Sequence, residues 1–319
     1  MVFETFVSDA LITAPIIAFL VATIATMIRL DVRLPESLSP ILSTFLLLAI
    51  GLKGGKALAL FSLNDFAKPL LAVLLLGVIN PVIAFTLFRV FTRLDIINSS
   101  ALAAHYGSPS LVTFIVLLAT LDSRGIKYEG YVSGLFACLE ILGIVVALLL
   151  SAKPLVKPSW KTALSEVVHG RSIALLLTGL VVGAVVGPTR LAPTDPFFID
   201  LLPGVLTLFL IEMGVLAAKS IRDLRSVGGK LITLAILIPL VNGLLGALAG
   251  SFAGMSIGGV VVMATLAGSA SFVAAPAVIQ IALPQASPSL YLTTSIGVTF
   301  PIFITLGIPF FIKVAEVLN

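Results

Sequence analysis

Between Lys230 and Lys313 the chain runs for 82 residues without one Asp, Glu, Lys or Arg. No soluble fold keeps so long an uncharged stretch out of water, whereas a bilayer takes up three spans of about 20 residues in that length. Charged residues are 11% of the whole chain, against about 25% in soluble domains. The sequence therefore reads as an all-α polytopic membrane protein. The pI of 9.3 does not point to nucleic acid, because the basic residues are scattered over short loops, where they act as topology signals. Glu4 and Asp9 precede the first apolar run with no Lys or Arg, unlike the basic start of a secretory leader, so that run is expected to be a retained span. Cys138 is the single cysteine and reads as a small apolar helix residue.

Apolar windows predict about ten transmembrane helices, near 10–28, 37–52, 69–91, 98–119, 131–150, 172–188, 199–217, 231–252, 257–281 and 289–312. The longest connection, 151–170, separates residues 1–150 from 171–319, five windows on each side. The two halves share landmarks at a nearly constant offset. Ala49-Ile50-Gly51 with Lys56 matches Glu212-Met213-Gly214 with Lys219, Asn80 matches Asn242, and Gly107 matches Gly268. Tyr128 and Gly134 match Tyr291 and Gly297. An odd number of spans per repeat forces the halves into opposite orientations, giving two inverted five-helix repeats. Placing the N-terminus outside puts 12 Lys and Arg on the cytoplasmic face and 7 on the other, which favours both termini outside and the central loop in the cytoplasm.

Two stretches interrupt long apolar runs at mid-depth: Gly107-Ser108-Pro109-Ser110 and Gly268-Ser269-Ala270-Ser271. Paired interruptions at corresponding positions of two halves mark a transporter's binding site, with helices four and nine expected to be broken. The half-helix after a break offers free N–H groups and the positive end of its dipole to an anion. Serine hydroxyls donate and accept, so Ser108, Ser110, Ser269 and Ser271, with Thr113 one turn on, suit an anion or the oxygen shell of a cation. The competing reading is that Gly and Ser merely let helices pack closely; two motifs in register favour the site. Glu140 and Glu212 are acidic residues well inside apolar runs and must face protein or water. Glu140 could serve a coupling Na⁺ or H⁺; Glu212 could instead reach an interface, and either could be a buried carboxyl that stabilises packing. His105 reads as a buried histidine on a backbone carbonyl, with a proton relay as the alternative. Asn80 and Asn242 are expected to brace the neighbouring broken helices. Lys53-Gly54-Gly55-Lys56 and Gly228-Gly229-Lys230 lack phosphate-loop spacing and read as helix ends. Gly246, Gly250, Gly254 and Gly258 recur every four residues, but a turn must fall among them, so one continuous seam is not expected.

No Arg or Lys lies deep in a predicted span, so a bulky or multiply charged anion lacks its guanidinium clamp. Hydroxyls and helix ends suit a small, singly charged, hydrogen-bonding solute such as bicarbonate, or an acetate-like or neutral one.

Further stretches carry a family resemblance: Gly51-Leu52-Lys53-Gly54-Gly55, Leu121 to Tyr128-Glu129, Glu140, Gly258-Gly259-Val260-Val261-Val262, and Leu283-Pro284-Gln285-Ala286-Ser287-Pro288-Ser289 with Tyr291. In these the chain resembles the sodium-dependent bicarbonate transporter family best known from cyanobacteria. The resemblance implies ten spans, a gate domain from spans 1, 2, 6 and 7, and a core domain from spans 3, 4, 5, 8, 9 and 10. It also implies a homotrimer in the plasma (inner) membrane, elevator-like movement, Na⁺ as coupling ion with no other cofactor, and docking of a PII-like regulatory protein. It places solute at Gly107, Ser110, Thr113, Ser269 and Ser271, and an acidic residue at Glu140, one methylene longer than the usual Asp. The chain departs from the family at Phe272, where an aspartate is usual, and at Ala274 and Ala275, where Ser-Gly is usual. The expected function is secondary active, Na⁺-coupled bicarbonate uptake. A permease for another small anion or carboxylate, and an ion channel, are the rivals. His105 and Ser108 lie three apart, but nothing completes a Ser–His site, so an enzyme is not expected.

Overall fold

The computed structural model describes residues 13–35, 37–59, 66–151, 165 and 169–319, and among them there are helices and no strand. The helices are α1 (Ala14–Met27), α2 (Leu38–Leu58), α3 (Ala67–Thr92), α4 (Ile96–Gly107), α5 (Leu111–Ser123), α6 (Val132–Ser151), α7 (Arg171–Leu191), α8 (Leu202–Arg222), α9 (Gly229–Phe252), α10 (Ile257–Gly268), α11 (Ala274–Ala282) and α12 (Pro288–Leu318). Apart from Ser151, Ser165, His169 and Gly170, the central connection 151–170 lies outside the described residues, as does the start of the first predicted window.

Among the described residues, eight segments are long and apolar enough to cross a membrane: α2, α3, α4 with α5, α6, α7, α8 with the turns before it, α9 and α12. The chain is thus a multi-pass membrane protein. The predicted windows near 10–28 and 257–281 appear instead as shorter apolar helices, α1 and the α10–α11 pair. The window 257–281 falls short because its run is interrupted after Gly268. α12 carries two π-helical stretches, Ser295–Thr299 and Phe303–Gly307. Pro301 and Pro309 follow them closely, and each proline lacks an N–H and crowds the carbonyl four residues back, which a wider turn relieves. Gly187 (φ 78°) and Pro188 kink α7 near its end.

Burial separates the helices. Over its most apolar window the span formed by α4 and α5 is wholly buried, whereas α7 is 22% buried over the same kind of window. Its partners therefore surround the α4–α5 span, while α7 and α3 turn apolar residues such as Val181, Leu71 and Leu75 outward, as lipid-facing helices do.

Glycine sets the closest contacts. α2 packs most extensively on α7, and α8 on α1. Gly51 and Gly55 of α2 lie against Gly179 and Gly183 of α7, so close that an added methyl at Gly179 would stand 2.7 Å from the Leu48 carbonyl. Gly246 and Gly250 of α9 lie against Met263 and Val260 of α10, while Gly254 (φ 76°) makes the turn between those helices. α4 and α10 are built alike, each 12 residues long. Asp95 and Ser256 cap their N-termini by accepting from Asn98 N–H and Gly259 N–H. Left-handed Arg93 (φ 58°) and Gly254 precede the caps by two residues.

Candidate functional site

Both serine stretches end a helix. After Gly107 the backbone of Ser108 is extended (φ −120°, ψ 146°), and α5 starts at Leu111 with Ser110 as its N-cap. Proline at 109 cannot donate a helical hydrogen bond, and with Gly107 and Ser108 before it the chain stops one helix and restarts another there. After Gly268 the backbone of Ser269 is extended (φ −83°, ψ 165°), and α11 starts only at Ala274.

The two interruptions touch. Ser110 N–H donates to Ser269 Oγ at 2.9 Å. Ser271 N–H is shared between the carbonyls of His105 (2.8 Å) and Ser108 (3.1 Å). Backbone groups freed by one break are thus satisfied by the other, as a non-helical segment inside a membrane requires. Two asparagines complete the bracing. Asn80 on α3 donates to the Ala267 carbonyl (3.4 Å) and Asn242 on α9 to the Tyr106 carbonyl (3.3 Å). Each accepting carbonyl immediately precedes the glycine that ends its helix.

Ser108, Ser110, Thr113, Ser269 and Ser271 are all at most 2% exposed, so their hydrogen-bonding capacity has to be accounted for. Ser108 Oγ donates to the Ala104 carbonyl at 2.6 Å and is spent. Ser110 Oγ accepts from Thr113 N–H (3.3 Å), Ser269 Oγ from Ser110 N–H, and Ser271 Oγ from Ala275 N–H (3.4 Å). The protons of these three hydroxyls have no acceptor among the described residues. The N–H groups of Leu111 and Val112, in the first turn of α5, have no carbonyl behind them within their helix. The junction is therefore rich in unspent donors, which suits an acceptor-rich solute.

Glu140 on α6 is 1% exposed and its Oε2 has no hydrogen-bond partner among the described residues. One turn further on the same face, Gly143 packs against the first break, where an added methyl would collide with the Gly107 carbonyl. A buried carboxyl thus stands one helical turn from the residue of α6 that touches the break. Sequence reading missed Gly143, because one glycine in an apolar helix carries no signal of its own. Gly107 and Gly268 are equally hemmed in, by Pro81 and by the Pro239 carbonyl with Phe303.

His105 Nδ1 lies 2.7 Å from the Ala101 carbonyl, so that nitrogen carries the proton, and the ring stacks on Tyr291 with centroids 4.4 Å apart. Its Nε2 is buried without a hydrogen-bond partner among the described residues. Phe272 packs edge-on against Phe300 (5.1 Å), which packs edge-on against Phe19 of α1 (5.3 Å). Glu212 is half-buried on α8 and makes no hydrogen bond to either break. Among the described residues no group of three His, Cys, Asp or Glu comes together to hold a metal ion.

No curated protein matches the chain. The family model of the Na⁺-dependent bicarbonate transporter superfamily, whose members are transporters and not enzymes, matches residues 14–316. With a match of that length over a multi-pass helical chain, this protein belongs to the Na⁺-dependent bicarbonate transporter superfamily.

Proposed function

We propose that the protein carries bicarbonate into the cell together with Na⁺, holding the anion where the two helix breaks meet. The observation that carries this reading is the set of unspent donors at that junction, the hydroxyl protons of Ser110, Ser269 and Ser271, beside the first turn of α5. Bicarbonate presents three oxygens to them and one proton of its own, a match for hydroxyls that both donate and accept. Glu140, buried with an orphaned oxygen one turn from Gly143, serves the coupling cation. Desolvating that carboxyl is costly, and a bound cation offsets the cost.

The movement is read as an elevator. Support comes from packing: α1, α2, α7 and α8 contact one another mainly in pairs, α2 on α7 and α8 on α1, while α3 packs on α4 and α6, and α9 on α10. The first group would be the gate and the rest the core that carries the breaks. Like-built α4 and α10, with caps and left-handed turns 161 residues apart, support two inverted repeats of five spans. On this reading the protein is a homotrimer of the plasma membrane with its termini outside, and a PII-like regulator would meet it from the cytoplasm.

The test is uptake of labelled bicarbonate into proteoliposomes with and without an inward Na⁺ gradient. Uptake that falls about tenfold without Na⁺ agrees with coupling; uptake unchanged without Na⁺ rules it out. Phe272 favours a second cargo, because its ring makes the second break more apolar. A thermal shift with small carboxylates and none with bicarbonate would select that cargo.

A further inference from the structure

Two ion pairs extend from α2, and they differ in what they join. Lys56 pairs with Asp195 at 2.5 Å, and Asp195 lies in the short link between α7 and α8, so both partners belong to the α1–α2–α7–α8 group. Lys53, less than one turn earlier, pairs with Asp122 near the end of α5, the half-helix that starts at the first break. Tyr128, in the α5–α6 connection, supports that pair from the side. Its hydroxyl donates to Asp122 Oδ1 at 3.2 Å, and its ring centroid lies 5.4 Å from Lys53 Nζ. Burial and the neighbouring carboxylate push the Tyr128 pKa up, so the phenol remains a donor.

The pair also sits between two cavities, of about 630 Å³ and 430 Å³, and Lys53 and Asp122 line both. The larger follows Val116, Thr120 and Ser123 along α5. That stripe continues inward by one turn to Thr113, beside the break. The smaller lies over Gly54, Ala57, Gly130 and Ser133. There the facing segments approach closely, since a methyl at Gly54 would fall 3.3 Å from the Gly130 carbonyl and one at Gly130 would fall 2.8 Å from the Ala57 backbone. Small residues make the closest approach between α2 and the start of α6, which leaves the two groups room to slide.

We propose that Lys53 and Asp122 form an ionic gate, with Tyr128 as its positioning residue, which closes the α2–α5 seam over the path to the first break and separates in every transport cycle. The gate rests on the elevator reading above, because only relative movement of the two groups would part this pair and spare Lys56–Asp195. Its side chains are 32% and 43% exposed, so the pair is weak enough to open repeatedly.

Two measurements test the gate. In a Cys138→Ala background, Lys53→Cys with Asp122→Cys is bridged by a short bifunctional thiosulfonate that reductant removes. Bridging is expected to lower Na⁺-driven bicarbonate uptake at least about tenfold, with recovery on reduction; bridged protein that transports at the unbridged rate overturns the gate. The second readout does not depend on the cargo. Val116→Cys, in the same background, is labelled by a membrane-impermeant thiol reagent, and adding Asp122→Asn is expected to speed labelling at least about fivefold. Exchanging the charges, Lys53→Asp with Asp122→Lys, should return labelling to the slow rate. An unchanged labelling rate in Asp122→Asn sinks the gate even if the cargo is not bicarbonate. Faster labelling without bicarbonate uptake keeps the gate and overturns the cargo.

Discussion

The two helix breaks share a motif and differ in what they leave free. The first spans three residues, Ser108 to Ser110, and α5 begins at once, with the first-turn N–H groups of Leu111 and Val112 directed back at the junction. The second spans five, Ser269 to Val273, and leads into a helix of nine residues whose first turn contains Pro276, which has no N–H to offer. Ala275 N–H is already taken by Ser271 Oγ. The first break therefore supplies backbone donors and a helix dipole, while the second supplies hydroxyls and shape. Access differs as well. Val273 and Ala274 line a cavity of about 290 Å³ together with Pro40, Ser43 and Arg171, whereas the first break is buried among α3, α6 and α9. A solute between them would be held mainly by the first half, with the second opening directly to this cavity.

The largest effect should come from the wall behind the first break. Gly143→Ala puts a methyl into the Gly107 carbonyl, and neither backbone can yield without moving α4 or α6. Overpacking of this kind costs about 1–3 kcal/mol or more, so the melting temperature should fall by several degrees, about 2–8 °C, and uptake should be lost. A protein that melts and transports as before would show that α6 does not seat the first break.

Next come the serines that join the breaks. Ser269→Ala removes the acceptor of a buried N–H, a loss of about 1–3 kcal/mol, and Ser110→Ala removes an N-cap, a loss of about 1 kcal/mol. Each also removes an unspent hydroxyl from the junction. Both are expected to raise the KM for bicarbonate about tenfold or more. If Ser269→Ala changed stability alone and left KM untouched, the second break would be a brace and not part of the site.

Much of this asymmetry was hidden in the sequence for physical reasons. Gly107-Ser108-Pro109-Ser110 announces a stop, since proline has no N–H and glycine and serine are poor helix formers. Its echo announces the second stop, though not its length. Within the longer break Phe272 packs on Phe300, a tertiary contact that no local pattern encodes. Matching Asn80 to Asn242 pointed to bracing, and their partners, the carbonyls before Gly268 and Gly107, appear only in three dimensions. Lys53 and Lys56 read as interfacial helix ends, because nothing in the sequence says that Asp122 and Asp195 face them. The π-turns of α12 are likewise invisible in the sequence, although Pro301 and Pro309 follow them closely.

The asparagines test whether bracing is more symmetric than the breaks themselves. Asn80→Ala and Asn242→Ala each remove one long hydrogen bond, at 3.4 and 3.3 Å, to corresponding carbonyls. Each should cost about 0.5–1.5 kcal/mol and lower the uptake rate by a few-fold at most. Near-equal melting shifts for the two would place the asymmetry in the mouths of the breaks. A much larger loss for Asn80 would place it in the scaffold, since α3 also carries Pro81 against Gly107.

The smallest effect on transport should belong to Ser108, although it lies in the first motif between Gly107 and Pro109. The Ala104 carbonyl would normally accept from the N–H four residues on, but that residue is Ser108, whose backbone has left the helix. Its hydroxyl supplies the missing donor at 2.6 Å, so the side chain closes the end of α4 and has no proton left for solute. Ser108→Ala should therefore lower stability by about 1 kcal/mol while KM for bicarbonate stays within about twofold. Ser108 and Ser269 hold corresponding places in the two motifs, yet one hydroxyl is spent on its own helix and the other faces the opposite break. A KM shift in Ser108→Ala as large as in Ser269→Ala would mean that the hydroxyl leaves Ala104 to meet the solute, and the two breaks would then be equivalent after all.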